Sequence, residues 1–237
     1  MAGPGLTANP SLFKNAGWNP VRDFAGAGVA GYSPLLLVVT DKLPAKTLRD
    51  VVELARAQPG TISAGTMNGS SGQFILEALK YSAKVEFLTV PYKGAPSIVA
   101  DLVNGTVQVT TLPLTVALAH VQSGRLRAVA IAAESRSPLL PEVPTFAEGG
   151  IAGFESGGWF ALFAPAKVSA EVLQRLQSEV AAIQVRTTFN ERIEKLFAVP
   201  AAGDAAELKR LVTEEIARWT GELRAQAQIE DHLEQRR

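Results

Sequence analysis

The chain has 237 residues, with 23 Lys and Arg against 23 Asp and Glu, two histidines and no cysteine. A formal net charge of zero argues against a protein that neutralises many phosphates, because nucleic-acid affinity rests on clustered cations; no nucleic-acid partner is expected. The missing cysteine excludes disulfides, iron–sulfur clusters, thiol nucleophiles and the usual structural zinc sites, and His120 and His232 lack ligand-like spacing with carboxylates, so neither metal nor cofactor is expected.

The opening Met1–Gly5 has neither the basic nor the apolar region of an export signal. The longest run of Leu, Ile and Val, Leu35 to Val39, falls far short of the ~20 residues of a membrane helix. Taken literally, these features predict a cytoplasmic protein if Met1 is the true start. Leu35 to Thr40, introduced by Ser33-Pro34, reads as a strand buried on both faces. Thr47 caps a helix with Leu48, Val51, Val52 and Ala55 on one side, stopped by Gln58-Pro59-Gly60. Thr61 to Ala64 reads as a strand, Gly65 to Gly69 as a loop, and about Ser70 to Ala83 as a helix presenting Ile75, Leu76 and Leu79. Val85 to Val90 is a predicted strand and Pro91 to Gly94 a turn. Pro96 suits the first turn of a further helix that ends at Asn104-Gly105. Val107 to Leu112 is a strand, Thr115 to Gln122 a helix, and Leu126 to Ala133 a buried strand. The Pro-rich stretch from Arg136 to Thr145 keeps its apolar residues and so reads as a structured loop.

This alternation predicts an α/β fold with a largely parallel sheet. After Phe154 the character changes. Trp159 to Ala164 is strand-like, and the remainder of the chain reads as almost wholly helical. Ser169 caps one helix through about Ile183. Asp204 with Glu207 opens another, striped by Leu208, Leu211, Val212, Ile216, Trp219 and Leu223.

Gly26-Ala27-Gly28-Val29-Ala30-Gly31 fits the dinucleotide pattern G-x-G-x-x-G, but that turn must follow a strand and open a helix. Here Ser33-Pro34 discourages a helix, so small residues in an extended segment are the reading, and no nucleotide is expected. Ser70, Asp101 and His120 follow the chain order of an α/β-hydrolase triad, yet Asn68-Gly69-Ser70-Ser71-Gly72 lacks the nucleophile-elbow spacing. Asp101 reads as a solvated helix residue, and His120 as a surface residue favoured by a helix C-terminus. More informative are two strand–helix loops, Gly65 to Gly72 and Pro91 to Pro96. In a parallel sheet both lie at the carboxyl edge of the strands, where helix N-termini offer unpaired amides to an anion. Two such sites without a nucleophile–base pair point to holding an anion rather than transforming it.

The series Trp18-Asn19-Pro20-Val21-Arg22-Asp23-Phe24, Leu35 to Val39, Pro59-Gly60, Pro91-Tyr92-Lys93-Gly94, Asp101-Leu102 with Gly105, and Gly124-Arg125-Leu126-Arg127 runs along the chain. Leu140 to Thr145 with Glu148 and Trp159 through Pro165 complete it. In its order and spacing this series resembles the Bug family, the solute-binding proteins of tripartite tricarboxylate transporters. The resemblance implies a two-lobed periplasmic-binding-protein-like (type II) fold, a small carboxylate ligand, delivery to a membrane permease, a periplasmic location and no catalysis. It divides the chain into lobe 1, residues 1–39 and 155–237, and lobe 2, residues 40–154. It also implies that the export signal and first part of lobe 1 precede Met1. An incomplete lobe would leave binding impaired and favour self-association.

The expected ligand contacts are Ser70 and Ser71, the amides of Gly94 and Ala95, Tyr92 as wall or hydroxyl donor, and Lys93 as added charge. Thr111 and Thr115 are weaker candidates on a third loop. Where the family usually has glycine, histidine and Asp-Asn, this sequence has Met67, Gln73 and Leu112-Pro113. A larger, partly apolar carboxylate suits those changes. The competing readings are a family member with impaired binding and a serine hydrolase using Ser70.

Overall fold

In chain order the elements are strand β1 (Phe24–Ser33), β2 (Leu35–Thr40), helix α1 (Leu48–Ala57), β3 (Ser63–Met67), α2 (Ser71–Ala83), β4 (Leu88–Tyr92), α3 (Ala95–Asn104), β5 (Val109–Pro113) and α4 (Leu114–Gln122). Next come β6 (Leu126–Ala132), β7 (Gly158–Pro165), α5 (Ala170–Gln184), α6 (Thr187–Lys195), β8 (Val199–Gly203) and α7 (Ala205–Glu234). The structure, a computed structural model, describes residues 2–7, 17–154, 158–196 and 198–234; within α7 the side chains of residues 218, 219 and 222–234 lie outside the description. The chain forms two compact units, one of residues 32–158 and 196–198, the other of 1–31, 159–195 and 199–237. The lobe boundary expected at 154/155 abuts residues 155–157, which lie outside the described residues.

The first unit is built on a five-stranded sheet in the order β4-β3-β5-β2-β6. Strands β4, β3 and β5 are parallel, whereas β2 runs antiparallel to both β5 and β6. The largely parallel expectation therefore needs one amendment, at β2. All six residues of β2 are buried, as its unbroken apolar run requires, but such a run carries no information about direction. On one face Leu36, Val38, Leu102, Val107, Leu112, Leu114 and Ile131 form a continuous core. Each such Leu or Ile contributes roughly 1.5–3 kcal/mol by leaving water.

Helix α1 forms as its sequence dictates. The Thr47 hydroxyl accepts the Asp50 amide at 3.1 Å and the Asp50 carboxylate accepts the Thr47 amide at 3.0 Å, a reciprocal cap. Leu48, Val51, Val52 and Ala55 are its buried face. Helix α3 ends as expected at Gly105, left-handed at φ 77°. The loop from Arg136 to Thr145 is strapped to β6 by Ile131 N–H to Pro144 O at 2.9 Å and Phe146 N–H to Ile131 O at 3.1 Å. Arg136 Nε reaches both Glu148 oxygens at 3.0 and 2.9 Å.

Two strands begin and end later than their sequence suggests. β3 extends to Met67, and β4 starts at Leu88 and extends through Tyr92. Pairing of Thr66 with Pro91 and Met67 with Tyr92 draws both expected loops into the sheet, a tertiary gain that local turn propensity does not foresee.

The second unit carries a three-stranded sheet ordered β7-β1-β8. The stretch Gly26 to Gly31 lies inside β1, so the extended reading is correct. Its glycines answer to packing: a Cβ on Gly28 would lie 2.8 Å from Val180 Cγ1, and one on Gly26 would lie 2.9 Å from Leu208 Cδ2. The Gln184 side-chain amide bridges Val29 O at 2.6 Å and Gly203 O at 3.1 Å, joining β1 to β8. Buried Glu215 on α7 accepts Trp159 Nε1–H at 2.9 Å and lies 2.6 Å from the Thr7 hydroxyl, tying the N-terminal segment, β7 and α7 together. β8 corrects the almost wholly helical reading of this region. The expected stripe on α7 is seen in buried Leu208 and Val212, while the side chains of Trp219 and Leu223 fall outside the described residues.

Candidate anion-binding site

Strands β4, β3 and β5 lie side by side and parallel, and each feeds a helix: β3 into α2, β4 into α3, β5 into α4. Adjacent parallel strands put their carboxyl ends on one edge, so the N-termini of α2, α3 and α4 gather there. The first N–H groups of a helix have no intrahelical acceptor and face positive potential outward. An anion at this edge therefore meets oriented donors without needing a fixed cation.

The three ends differ in how much of that capacity the protein uses itself. At α2, Ser70 is the cap: its hydroxyl accepts the Gln73 amide at 3.1 Å. Gln73 in turn accepts the Gly69 amide on Oε1 at 2.8 Å, and the Ser70 amide donates to Met67 O at 3.1 Å. The amides of Ser71 and Gly72, at the first two helical positions, are left for a ligand. At α3 the cap is Gly94, with extended backbone and no side-chain hydrogen bond, followed by Ala95 and by Pro96, which has no N–H. At α4 the cap is Pro113, again without a side-chain bond, and the Leu114 amide donates to Pro34 O at 3.0 Å. The ends of α3 and α4 thus lack the side-chain cap that α2 has.

The eight expected contact residues fall at these three ends, but their side chains do different things. Ser71 is half-buried at the first turn of α2, and Lys93 is exposed in the bend between β4 and α3. Thr115 is exposed on the first turn of α4. The Thr111 hydroxyl is buried and donates to Gly72 O at 2.6 Å, fastening α2 to β5. A Cβ on Gly72 would sit 2.6 Å from Thr111 Oγ1 and 3.0 Å from its carbonyl oxygen, which explains the glycine. The Tyr92 hydroxyl donates to Asp101 Oδ2 at 2.6 Å. Burial first, then Asp101, pushes the phenol up to about 12, so Tyr92 stays protonated and its donor is engaged on α3.

Asp101 is accordingly a hydrogen-bond acceptor inside the fold rather than a merely solvated residue. His120 is half-buried, with Nδ1 enclosed and without a hydrogen-bond partner, rather than a plain surface residue. Among the described residues no hydrogen bond links Ser70, Asp101 and His120, and the Ser70 hydroxyl serves as a helix cap. No cluster of three His, Cys, Asp or Glu able to hold a metal occurs among the described residues, and no described helix is long and apolar enough to cross a membrane. One residue at this edge escapes the motif reading: Thr66, 3% exposed, whose Oγ1 has no hydrogen-bond partner. A threonine between glycine and methionine carries no sequence signal of that kind.

Comparison with known proteins bears on this geometry. The profile of the tripartite tricarboxylate transporter family receptor matches residues 1–227. Protein BugT of Bordetella pertussis is 28% identical over 220 residues, covering 92% of this chain and 68% of its own length. A UPF0065 protein in the tcbD-tcbE intergenic region of Pseudomonas sp. is 31% identical over 217 residues, covering 91% of this chain and 65% of its own length. Across three such curated relatives the chain spans 59% to 68% of their length. Among solved structures, R. palustris Rpa4515 with adipate is 32% identical with a TM-score of 0.82, covering 94% of this chain and 75% of that one. MatC from Rhodopseudomonas palustris with bound malate is 27% identical with a TM-score of 0.81, covering 94% and 77%. The expected α/β periplasmic-binding-protein architecture is the fold of these structures. The chain belongs to the tripartite tricarboxylate transporter family receptors.

Proposed function

We propose that this chain is a solute-binding receptor that takes up a small carboxylate outside the cytoplasm and passes it unchanged to the membrane permease of a tripartite transporter. The observation that carries the reading is the gathering of the α2, α3 and α4 N-termini at one sheet edge, two of them without a side-chain cap. Family membership and the adipate and malate held by the two R. palustris relatives support the same class of solute. In this reading residues 40–154 are one lobe and residues 1–39 with 155–237 the other. The ligand carboxylate meets the amides of Ser71 and Gly72 on α2 and of Gly94 and Ala95 on α3, with Lys93 adding charge at the rim. Charge-assisted hydrogen bonds of this kind contribute about 1.5–3 kcal/mol each when aligned.

The test is a thermal-shift screen of mono- and dicarboxylates. A ligand at 100 times its Kd stabilises the folded state by about 2.7 kcal/mol. No shift with any carboxylate, beside R. palustris Rpa4515 with adipate as the positive control, overturns the reading.

A second reading, self-association, is favoured by exposed apolar residues on and beside α5: Val172 is 48% exposed, Ile183 38% and Val185 77%. Exposed apolar side chains draw partners where they join into a patch. Light scattering decides it: a monodisperse monomer across a concentration series sinks it.

A further inference from the structure

We propose that Thr66 is a ligand-contacting residue of this same edge, its hydroxyl the donor for which a bound carboxylate supplies the acceptor. The inference rests on the carboxylate-binding reading and deepens it. Thr66 is the penultimate residue of β3. The parallel register pairs Ala64 with Val109 and Gly65 with Thr110, so one step further Thr66 lies alongside Thr111. Alternation along the strands puts both on the same face of the sheet, and that face is where α2 begins, because Thr111 reaches Gly72 O at 2.6 Å.

The neighbouring threonines are satisfied within the fold: Thr110 donates to Gly65 O at 2.7 Å and Thr111 to Gly72 O. Thr66 is 3% exposed and its hydroxyl has no partner. Folded proteins seldom leave a buried hydroxyl unpaired, because the lost hydration is not repaid. A carboxylate held by the Ser71 and Gly72 amides would supply the missing acceptor.

The hydroxyl is enclosed, so it meets the anion only when the Met67–Ser70 turn shifts. Met67 is anchored in the sheet by its pairing with Tyr92, but beyond it the turn is held by local bonds: Ser70 N–H to Met67 O at 3.1 Å, Gly69 N–H to Gln73 Oε1 at 2.8 Å, and the Ser70 cap on Gln73 N–H at 3.1 Å. A ligand oxygen can take the place of Gln73 Oε1 at the Gly69 amide, so that anion capture and exposure of Thr66 become one event.

Calorimetric titration of the full chain with adipate and with malate tests this in the parent, Thr66→Val and Thr66→Ser. The expected result is binding by the parent and Thr66→Ser and at least tenfold weaker binding by Thr66→Val, which keeps the shape and removes the hydroxyl. The ligand-free Tm of Thr66→Val should equal or exceed that of the parent, since an unpaired buried hydroxyl is exchanged for a methyl group. Equal affinity in parent and Thr66→Val overturns the role of Thr66 alone. A ligand-free Tm lowered by several degrees in Thr66→Val, or failure of that variant to fold, also overturns it, because the hydroxyl then serves the fold. A parent that binds neither acid overturns this inference for both probes, and silence across the wider carboxylate screen overturns the receptor reading as well.

Discussion

The Tyr92 hydroxyl donates to Asp101 Oδ2 at 2.6 Å, nine residues further along the chain. The bond ties the last residue of β4 to the body of α3 and fixes the turn through Lys93 and Gly94 between them. Tyr92→Phe should lower stability by about 1 kcal/mol, the usual net value of such a bond, read as a fall in urea midpoint without a change in slope. Burial of the phenol, with this bond second, sets an alkaline limit. The folded phenol, pushed up to about 12, lies above its unfolded value near 10. Its contribution is therefore complete below about pH 10 and is lost as pH rises through about 12. Spectrophotometric titration should show a late phase from Tyr92, and Tyr92→Phe should remove that phase.

At the other end of the pH scale Asp23 contributes. A hydrogen bond from Arg22, followed by one from the Asn19 amide, holds its carboxyl down to about 2. With the folded value below the unfolded one, this stabilisation is present above about pH 4 and disappears as pH falls through about 2. The carboxyl is solvent-accessible, so the effect is a change of slope in Tm against pH rather than a collapse. Asp23→Asn should flatten that slope between pH 4 and 2; an unchanged slope would count against the pairing.

Ser70 separates cap from site. Ser70→Ala removes the acceptor for the Gln73 amide and should cost about 1 kcal/mol. Ser70→Asp retains a competent cap and complements the helix dipole, so stability should hold or rise. It also puts a negative charge where a carboxylate would bind, and carboxylate affinity should fall at least tenfold. A variant that binds as well as the parent would move the ligand away from α2.

Gly72→Ala forces a methyl group to within 2.6 Å of Thr111 Oγ1 and 3.0 Å of backbone oxygen. Overpacking against backbone has little room to relax, so a loss of roughly 1–3 kcal/mol is expected. Thr111→Ala in the same background removes the Oγ1 contact but not the backbone one. Partial recovery of the denaturation midpoint is the expected outcome.

The readable parts of the fold were those whose information is local. Thr47 with Asp50, the buried positions Leu48, Val51, Val52 and Ala55, and the glycine stop at Gly105 each specify a helix from within a few residues. β8 was missed because Val-Pro-Ala-Ala-Gly has no alternation and low strand propensity, and it is a strand only because β1 pairs with it. The late ends of β3 and β4 have the same cause, pairing with each other. At the site, strand order was enough to gather the loops of Ser70, Gly94 and Thr115. The occupation of particular donors was hidden, since the partners of Tyr92 and Thr111 lie 9 and 39 residues away. The orphan hydroxyl of Thr66 is defined by what it lacks, and no residue pattern encodes an absence.

The close seating of Gly72 on Thr111 divides the start of α2 into a part that tolerates change and a part that does not. Positions 72 and 111 are locked together, because alteration of either one disturbs the helix that supplies the donors. Met67 and Gln73 sit outside that lock: one ends a strand half-exposed, and the other holds a single loop amide. On the carboxylate-binding proposal, substitutions at 67 and 73 should alter ligand preference while the helix foot stays still, and directed evolution of that preference should begin at those two codons.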